Sequence, residues 1–257
     1  MRKFFTMMIS ITLCFTMLAG CGSRDAYALY QAMNEALADV TSLDADMTIN
    51  IQVTEDDETF TMIMDGNVKT IMHSDTDIDM HMVLTTSLHG DGYNESDTVT
   101  AFFTNGYIYM DMDGFRIRQA MNLDEAMEMA NTVETLDFVQ DAVIESSVSN
   151  ISGGRRLELT LDGSVIPEIN DLMADMGAMP GGMEDLGISV SLGNVIVEAD
   201  VDSNNMLKSY RMVTDMTMEI DGYTSTTTID MTLTVNSFND VVINFPDDLD
   251  DYMDMGF

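Results

Sequence analysis

The chain has 257 residues, with 45 acidic side chains against 10 Lys and Arg, a net charge of −35, no Trp, two Cys and 27 Met. That balance excludes a protein that tracks nucleic-acid phosphates, which needs a basic face. A hydrophobic content of 46% excludes a solvated acidic tail, so the chain has the means to build a core.

Arg2-Lys3 opens the chain with positive charge, and Phe4 to Leu18 is an apolar run broken only by Thr and Ser. This run is short for a membrane span and has the layout of the apolar region of a secretory signal. It ends in Leu18-Ala19-Gly20-Cys21, which resembles the lipobox of bacterial lipoproteins. The resemblance implies cleavage after Gly20 and a diacylglyceryl group on the Cys21 thiol, with Cys21 as the mature N-terminus. Residues 1–20 are then a lipoprotein signal peptide, 21–24 a lipidated N-terminus with a short tether, and 25–257 the domain. One acyl chain holds a protein at a bilayer only marginally and two hold it stably, so a membrane anchor is expected without a transmembrane helix. The expected location is the outer, extracytoplasmic face of the cell membrane. Cys14 leaves with the signal, so the mature chain has no redox pair. Loss of Arg2 and Lys3 deepens the net charge from −35 to −37.

Residues 25–42 place Ala26, Leu29, Tyr30, Met33, Ala36, Leu37 and Val40 on one helical stripe. The period then changes to two. Met47, Ile49, Ile51 and Val53 alternate with Asp46, Thr48, Asn50 and Gln52. Phe60, Met62, Met64, Val68 and Met72 keep one parity through Gly66, as do Ile78, Met80, Met82, Leu84 and Leu88. Such alternation marks antiparallel strands with one apolar and one wet face. Asp91-Gly92, Asn105-Gly106, Asp113-Gly114, Asp162-Gly163, Ser203-Asn204-Asn205 and Asp221-Gly222 read as turns. Strands are expected near 96–103, 106–112 and 114–119. One broken helix or two short ones should follow over 123–143, with Leu123, Ala126, Met127, Ala130, Val133, Leu136, Val139 and Val143 on its apolar positions. Strands near 145–150 and 155–162 precede a further helix at 165–176 and a glycine-rich connection at 177–187. Three long strands close the chain: 188–201, with a bulge at Gly193-Asn194, then 205–220 and 223–237.

These elements specify an α+β, mainly β domain. We expect a single large curved antiparallel sheet of about 11 strands, an open half-barrel, with helices covering the concave face. The stretch Phe102-Phe103-Thr104-Asn105-Gly106-Tyr107-Ile108-Tyr109-Met110-Asp111, followed by Gly114-Phe115-Arg116-Ile117-Arg118 and Met121-Asn122-Leu123, is similar to lipoproteins of Gram-positive bacteria. Those proteins carry the LolA/LolB/LppX-like lipoprotein-carrier fold. Val197-Glu198-Ala199-Asp200-Val201-Asp202, with Leu207 beyond the turn, resembles their strand–turn–strand segment. The resemblance implies a half-barrel with a helical lid and, as ligand, acyl chains or a lipoprotein. It supplies no catalytic residues.

No catalytic constellation stands out. There is no G-x-S-x-G, no S-x-x-K and no mature cysteine, and glycosidases usually offer Trp or Tyr platforms, of which Trp is absent. The expectation is a protein that is not an enzyme and carries no cofactor beyond the diacylglyceryl on Cys21. His73, His81 and His89 lack helical or knuckle spacing for zinc and read as solvated strand residues. Asp200-Val201-Asp202-Ser203-Asn204 begins like a calcium loop, but Asn205 stands where Gly belongs and Arg211 where Glu belongs. Asp111-Met112-Asp113-Gly114 fails similarly, so both read as turns. Met173, Met176, Met179 and Met183 have thioether-cluster spacing, and a flexible apolar flap explains them better than copper.

Methionine placement is the informative feature. Met47, Met62, Met64, Met80, Met82, Met212, Met216, Met218 and Met231 fall on apolar-face positions, as do Met72, Met110 and Met112. An ordinary methionine-rich core would give the same placement. The functional alternative is a deformable cavity wall for lipid tails, lined by the first nine. The leading reading is an anchored protein that binds a lipid or other amphiphile as carrier or sensor; the second is a surface module with a filled core that docks a protein partner, and a hydrolase using acidic residues comes third.

Overall fold

The computed structural model describes residues 23–55, 58–74, 77–90, 92–121, 142–165, 188–220 and 223–255. The chain starts with α1 (Ser23–Leu37) and continues in strands β1 (Ser42–Glu55), β2 (Glu58–Ser74), β3 (Asp77–Gly90), β4 (Tyr93–Thr104), β5 (Tyr107–Met112) and β6 (Phe115–Ala120). After the next undescribed stretch come β7 (Val143–Ile151), β8 (Gly154–Asp162), β9 (Ile188–Asp202), β10 (Leu207–Ile220), β11 (Tyr223–Phe238) and the two-residue β12 (Met253–Asp254).

All strands join one open sheet in the order β12-β6-β5-β4-β3-β2-β1-β11-β10-β9-β8-β7. It is two antiparallel meanders, β1 to β6 and β7 to β11, sewn together where β1 pairs with β11. Among the described strands, only β12 runs parallel to its neighbour, β6. The tight hairpins follow the residues that tolerate positive φ. Asn105 and Gly106 sit at φ 52° and 75°, and Asp113 and Gly114 at 51° and 85°, as two-residue turns between twisted strands require. Asp162-Gly163 differs from its reading as a turn of that kind. Gly163 instead begins a 3₁₀ turn (Gly163–Val165), with Asp162 accepting from the Ser164 amide at 3.0 Å and its hydroxyl at 2.6 Å.

The helix forms from a run rich in Ala and Leu, good helix formers, and buries Ala26, Leu29, Tyr30, Met33 and Leu37. It ends at Leu37, earlier than the stripe extended, where Val40 and Thr41 hand the chain to β1. There the Thr41 amide and hydroxyl donate to Asn239 Oδ1 at 2.7 and 3.2 Å, tying the start of β1 to the end of β11. The helix packs on β7 and β8, and its apolar stripe joins Leu43, Ala45, Leu157, Leu159, Leu161, Val195, Val197, Ala199, Val201, Leu207 and Tyr210 in the main core.

Val143, expected as helical, is the first residue of β7. Its β-branched side chain packs against the main core from a strand paired with β8. The mid-chain helices expected over 123–143 and 165–176, the glycine-rich connection, and Met173, Met176, Met179 and Met183 otherwise lie outside the described residues. Among the described residues, α1 is therefore the helix that covers its face of the sheet. The final stretch has a role that periodicity did not suggest. It runs back across the other face of the sheet, where Phe245, Leu249 and Tyr252 pack on Phe102 and Tyr109. No helix among the described residues is long and apolar enough to cross a membrane.

Candidate functional site

The register defines two faces. On the helix side, one cross-strand row runs Val197, Met212, Met231, Ile49, Met64 and Thr86. The next runs Val195, Thr214, Ile229, Ile51, Met62, Leu88 and Glu95. Because side chains alternate strictly along a strand, every member of such rows points the same way. Met47 pairs with Gly66 and Leu233, and Met82 pairs with Val68 and Ala101. Met80 pairs with Thr70, while Met216 and Met218 face Leu192 and Val190 of β9. All nine methionines singled out in the sequence thus share the face on which α1 packs, and each is half-buried.

That face has two regions. Under α1 it is solid, with Leu159, Leu161, Val195 and Val201 each at most 1% exposed. Away from α1, toward the hairpins 55–58, 90–93 and 220–223, Met62, Met64, Ile51, Leu88, Ile229 and Met216 are only partly covered. A second small cluster, Ile78, Phe103 and Ile108 with Met72, Met80 and Met110, closes the β3–β5 flank. Gly66 makes room in the middle: a Cβ there would stand 2.8 Å from the Val83 carbonyl oxygen and 3.1 Å from Leu84 Cδ1. The bulge expected at Gly193-Asn194 is present as a register shift opposite Thr214 and Met216. β8 ends there, with Asp162 opposite Asn194, so the first residues of β9 continue past their neighbour.

The opposite face is polar and held by cross-strand pairs. Arg156 donates to both oxygens of Asp200 at 2.6 and 2.9 Å, and Arg211 grips Asp230 at 3.0 and 2.8 Å. Thr85 meets Thr98 at 2.9 Å, and Thr48 donates to Asp65 at 2.7 Å. The hydrogen bond from Arg156 holds the Asp200 carboxyl below the usual carboxylate range, against its partial burial. Burial of Asp44 pushes the other way, and is outweighed by hydrogen bonds from Asn67 and Asn236 and by Lys69.

The three histidines stand on this face at separate points. His73 bonds Asp79 at 2.8 Å, which raises its pKa. His81 stacks on Phe102 at 4.6 Å, and burial followed by the nearby Lys69 charge lowers its pKa. His89 pairs in register with Thr61 and Asn94. The two calcium-loop lookalikes are hairpin turns. Asp202 Oδ1 accepts the amides of Asn204 and Met206 at 2.7 and 2.9 Å, and Asp111 takes the Gly114 amide and the Arg116 guanidinium, both at 2.9 Å. Among the described residues no three His, Cys, Asp or Glu converge on a metal position.

No family model matches the chain, and no curated protein matches it. Among solved structures it is similar to LprF from Mycobacterium bovis, at 12% identity and a TM-score of 0.45, over 88% of this chain and 99% of that one. It is also similar to a DUF1329 family protein from Desulfovibrio piger, at 12% identity and a TM-score of 0.23, over 85% and 94% of the two chains. A third is a β-barrel-like DUF1849 protein from Brucella abortus, at 10% identity and a TM-score of 0.21, over 77% of this chain and all (100%) of that one.

Cys21 lies outside the described residues. Residue patterns missed Thr70 and Thr214, which are 1% and 6% exposed on the helix-side face and whose hydroxyls have no hydrogen-bond partner among the described residues. Their only signal in the sequence is a Thr at a position whose parity is otherwise apolar.

Proposed function

We propose that the chain is an extracytoplasmic lipoprotein, held at the outer face of the cell membrane by a diacylglyceryl group on Cys21. It binds a lipid or other amphiphile on its methionine-lined sheet face, as a carrier or sensor, and is not an enzyme. The observation that carries this reading is the convergence of nine half-buried methionines, with Ile49, Ile51, Leu88 and Ile229, on one continuous face that runs outward from the core α1 joins, which Met212 and Met231 border.

Physical chemistry supports that use of the face. Unbranched thioether side chains repack around irregular partners at little cost. An acyl chain leaving a bilayer for such a wall exchanges one apolar setting for another, so its net hydrophobic gain is small and loading is readily reversed. A lipoprotein ligand would use the same surface through its own acyl chains. The competing idea, a filled module that docks a protein partner through its acidic exterior, draws on the solid region under α1.

Native mass spectrometry of the mature lipoprotein, extracted in mild detergent, tests the proposal. The expected spectrum contains a species heavier by one or two lipid molecules, lost on delipidation and regained on adding lipid. A bare mass before and after lipid addition would overturn it in favour of the docking module.

A further inference from the structure

Thr214 stands at the line where the helix-filled core gives way to the partly covered methionine wall. Its row neighbours are Val195, fully buried in the main core, and Ile229, half-buried; along β10 it lies between Met212 and Met216. The residue is 6% exposed and its hydroxyl has no partner among the described residues. A buried hydroxyl without a partner is costly to keep, and native proteins rarely leave one unexplained. The sheet is locally irregular at this point, with the β9 bulge opposite and the end of β8 next to it. Bulges recur beside functional sites, where they re-aim side chains.

The surroundings limit what could bond to that hydroxyl. On strands β1 to β4 and β9 to β11, the Lys and Arg that the register pairs, Lys69 and Arg211, stand on the other face, and the exposed Lys208 falls at an irregularity near the start of β10, six residues from Thr214. The charged group at the far end of the row is Glu95, a carboxylate. A carboxylate or phosphate seated at Thr214 would be desolvated without a counter-ion, at heavy cost. An ester carbonyl carries no charge and accepts one hydrogen bond, which the hydroxyl donates, leaving no donor unmatched.

Resting on the amphiphile reading, we propose that Thr214 is the polar anchor of the methionine wall and that it selects an uncharged acyl ester over a free fatty acid. The flanking Met212 and Met216 move aside to admit the ester, and the acyl chain lies along the wall toward Ile51 and Met62.

The test compares the delipidated full mature protein with its Thr214→Val, Thr214→Ser and Thr70→Val variants. Each is titrated with 1,2-dioctanoylglycerol, palmitate and hexadecane, and thermal melting is recorded. Wild type should bind the diacylglycerol more tightly than palmitate. Thr214→Val should weaken diacylglycerol binding about five- to tenfold, the value of one neutral hydrogen bond, leave hexadecane unchanged and raise Tm. Thr214→Ser should retain ester binding. Thr70→Val, which removes an equally unpartnered hydroxyl beside Leu43 and Met80, should raise Tm without altering any ligand. Ester binding unchanged by Thr214→Val, or a preference for palmitate, would overturn the inference while leaving the amphiphile reading intact. Failure of all three ligands to bind wild type would overturn both.

Discussion

Gly66 shows how closely one residue is specified. It sits mid-strand between Met47 and Leu84, where its lack of a side chain lets β2 and β3 approach. Gly66→Ala should lower stability by about 1–3 kcal/mol, the usual range for forcing atoms into a packed position, as read by chemical denaturation. The histidines give opposite pH signatures. His73 has a raised pKa in the fold, so its contribution is complete below about pH 6.5 and fades as pH rises through the folded value. His81 has a lowered pKa, so its unfolded form takes up the proton first and stability falls as pH drops through about 6.5. His81→Phe keeps the stack on Phe102 and removes the proton. Its stability advantage over wild type should therefore grow between pH 7.5 and 5.5, and a constant difference would contradict that cause. Asp200, held low by Arg156, contributes above the usual carboxylate pKa and is lost only as pH falls through its depressed value.

At the scale of elements, α1 alone covers the helix-side face among the described residues, and it does so through five buried side chains. Leu29→Ala should cost about 2–5 kcal/mol, because the cavity opens beneath a helix that has no other seat. Much of this level was legible in the sequence. The strict two-residue parity of 47–53, 60–72 and 78–88 fixed which side chains share a face, and Asn105-Gly106 and Asp113-Gly114 marked their hairpins. The Gly193-Asn194 parity switch marked the bulge. The packing of residues 239–255 was not legible, because it depends on Phe102 and Tyr109 lying on a face whose neighbours are polar. Periodicity assigns that face to water, and the returning chain, with Tyr252 edge-on to Tyr109 at 5.6 Å, buries the two aromatics together with the His81 stack on Phe102. Val143 was misread for a related reason. A single apolar residue at a helix-like interval says nothing about its cross-strand partner, Leu161. The unpartnered Thr70 and Thr214 were equally out of reach, since a Thr in a strand is ordinary until its burial and bonding are known.

At the scale of the whole molecule, charge and apolar surface are segregated across one sheet. The other face carries acids paired with Arg and Thr side chains beside the buried Phe102, Tyr109 and Tyr252 cluster, while the methionines gather on the side of α1. Cys21→Ser should move the protein from the membrane to the soluble fraction, as cell fractionation would show, without changing its circular dichroism. The central claim is that the methionine face takes an acyl chain, and the absence of Trp makes it directly observable. A Trp placed by Met64→Trp lies on that face, whereas Thr226→Trp lies exposed on the other. Each variant is titrated with a lipid brominated along its acyl chain, a contact quencher of indole fluorescence. If the methionine face takes the acyl chain, quenching is strong and saturable at position 64 and slight at position 226; equal quenching at both, or none at 64, would contradict binding on that face.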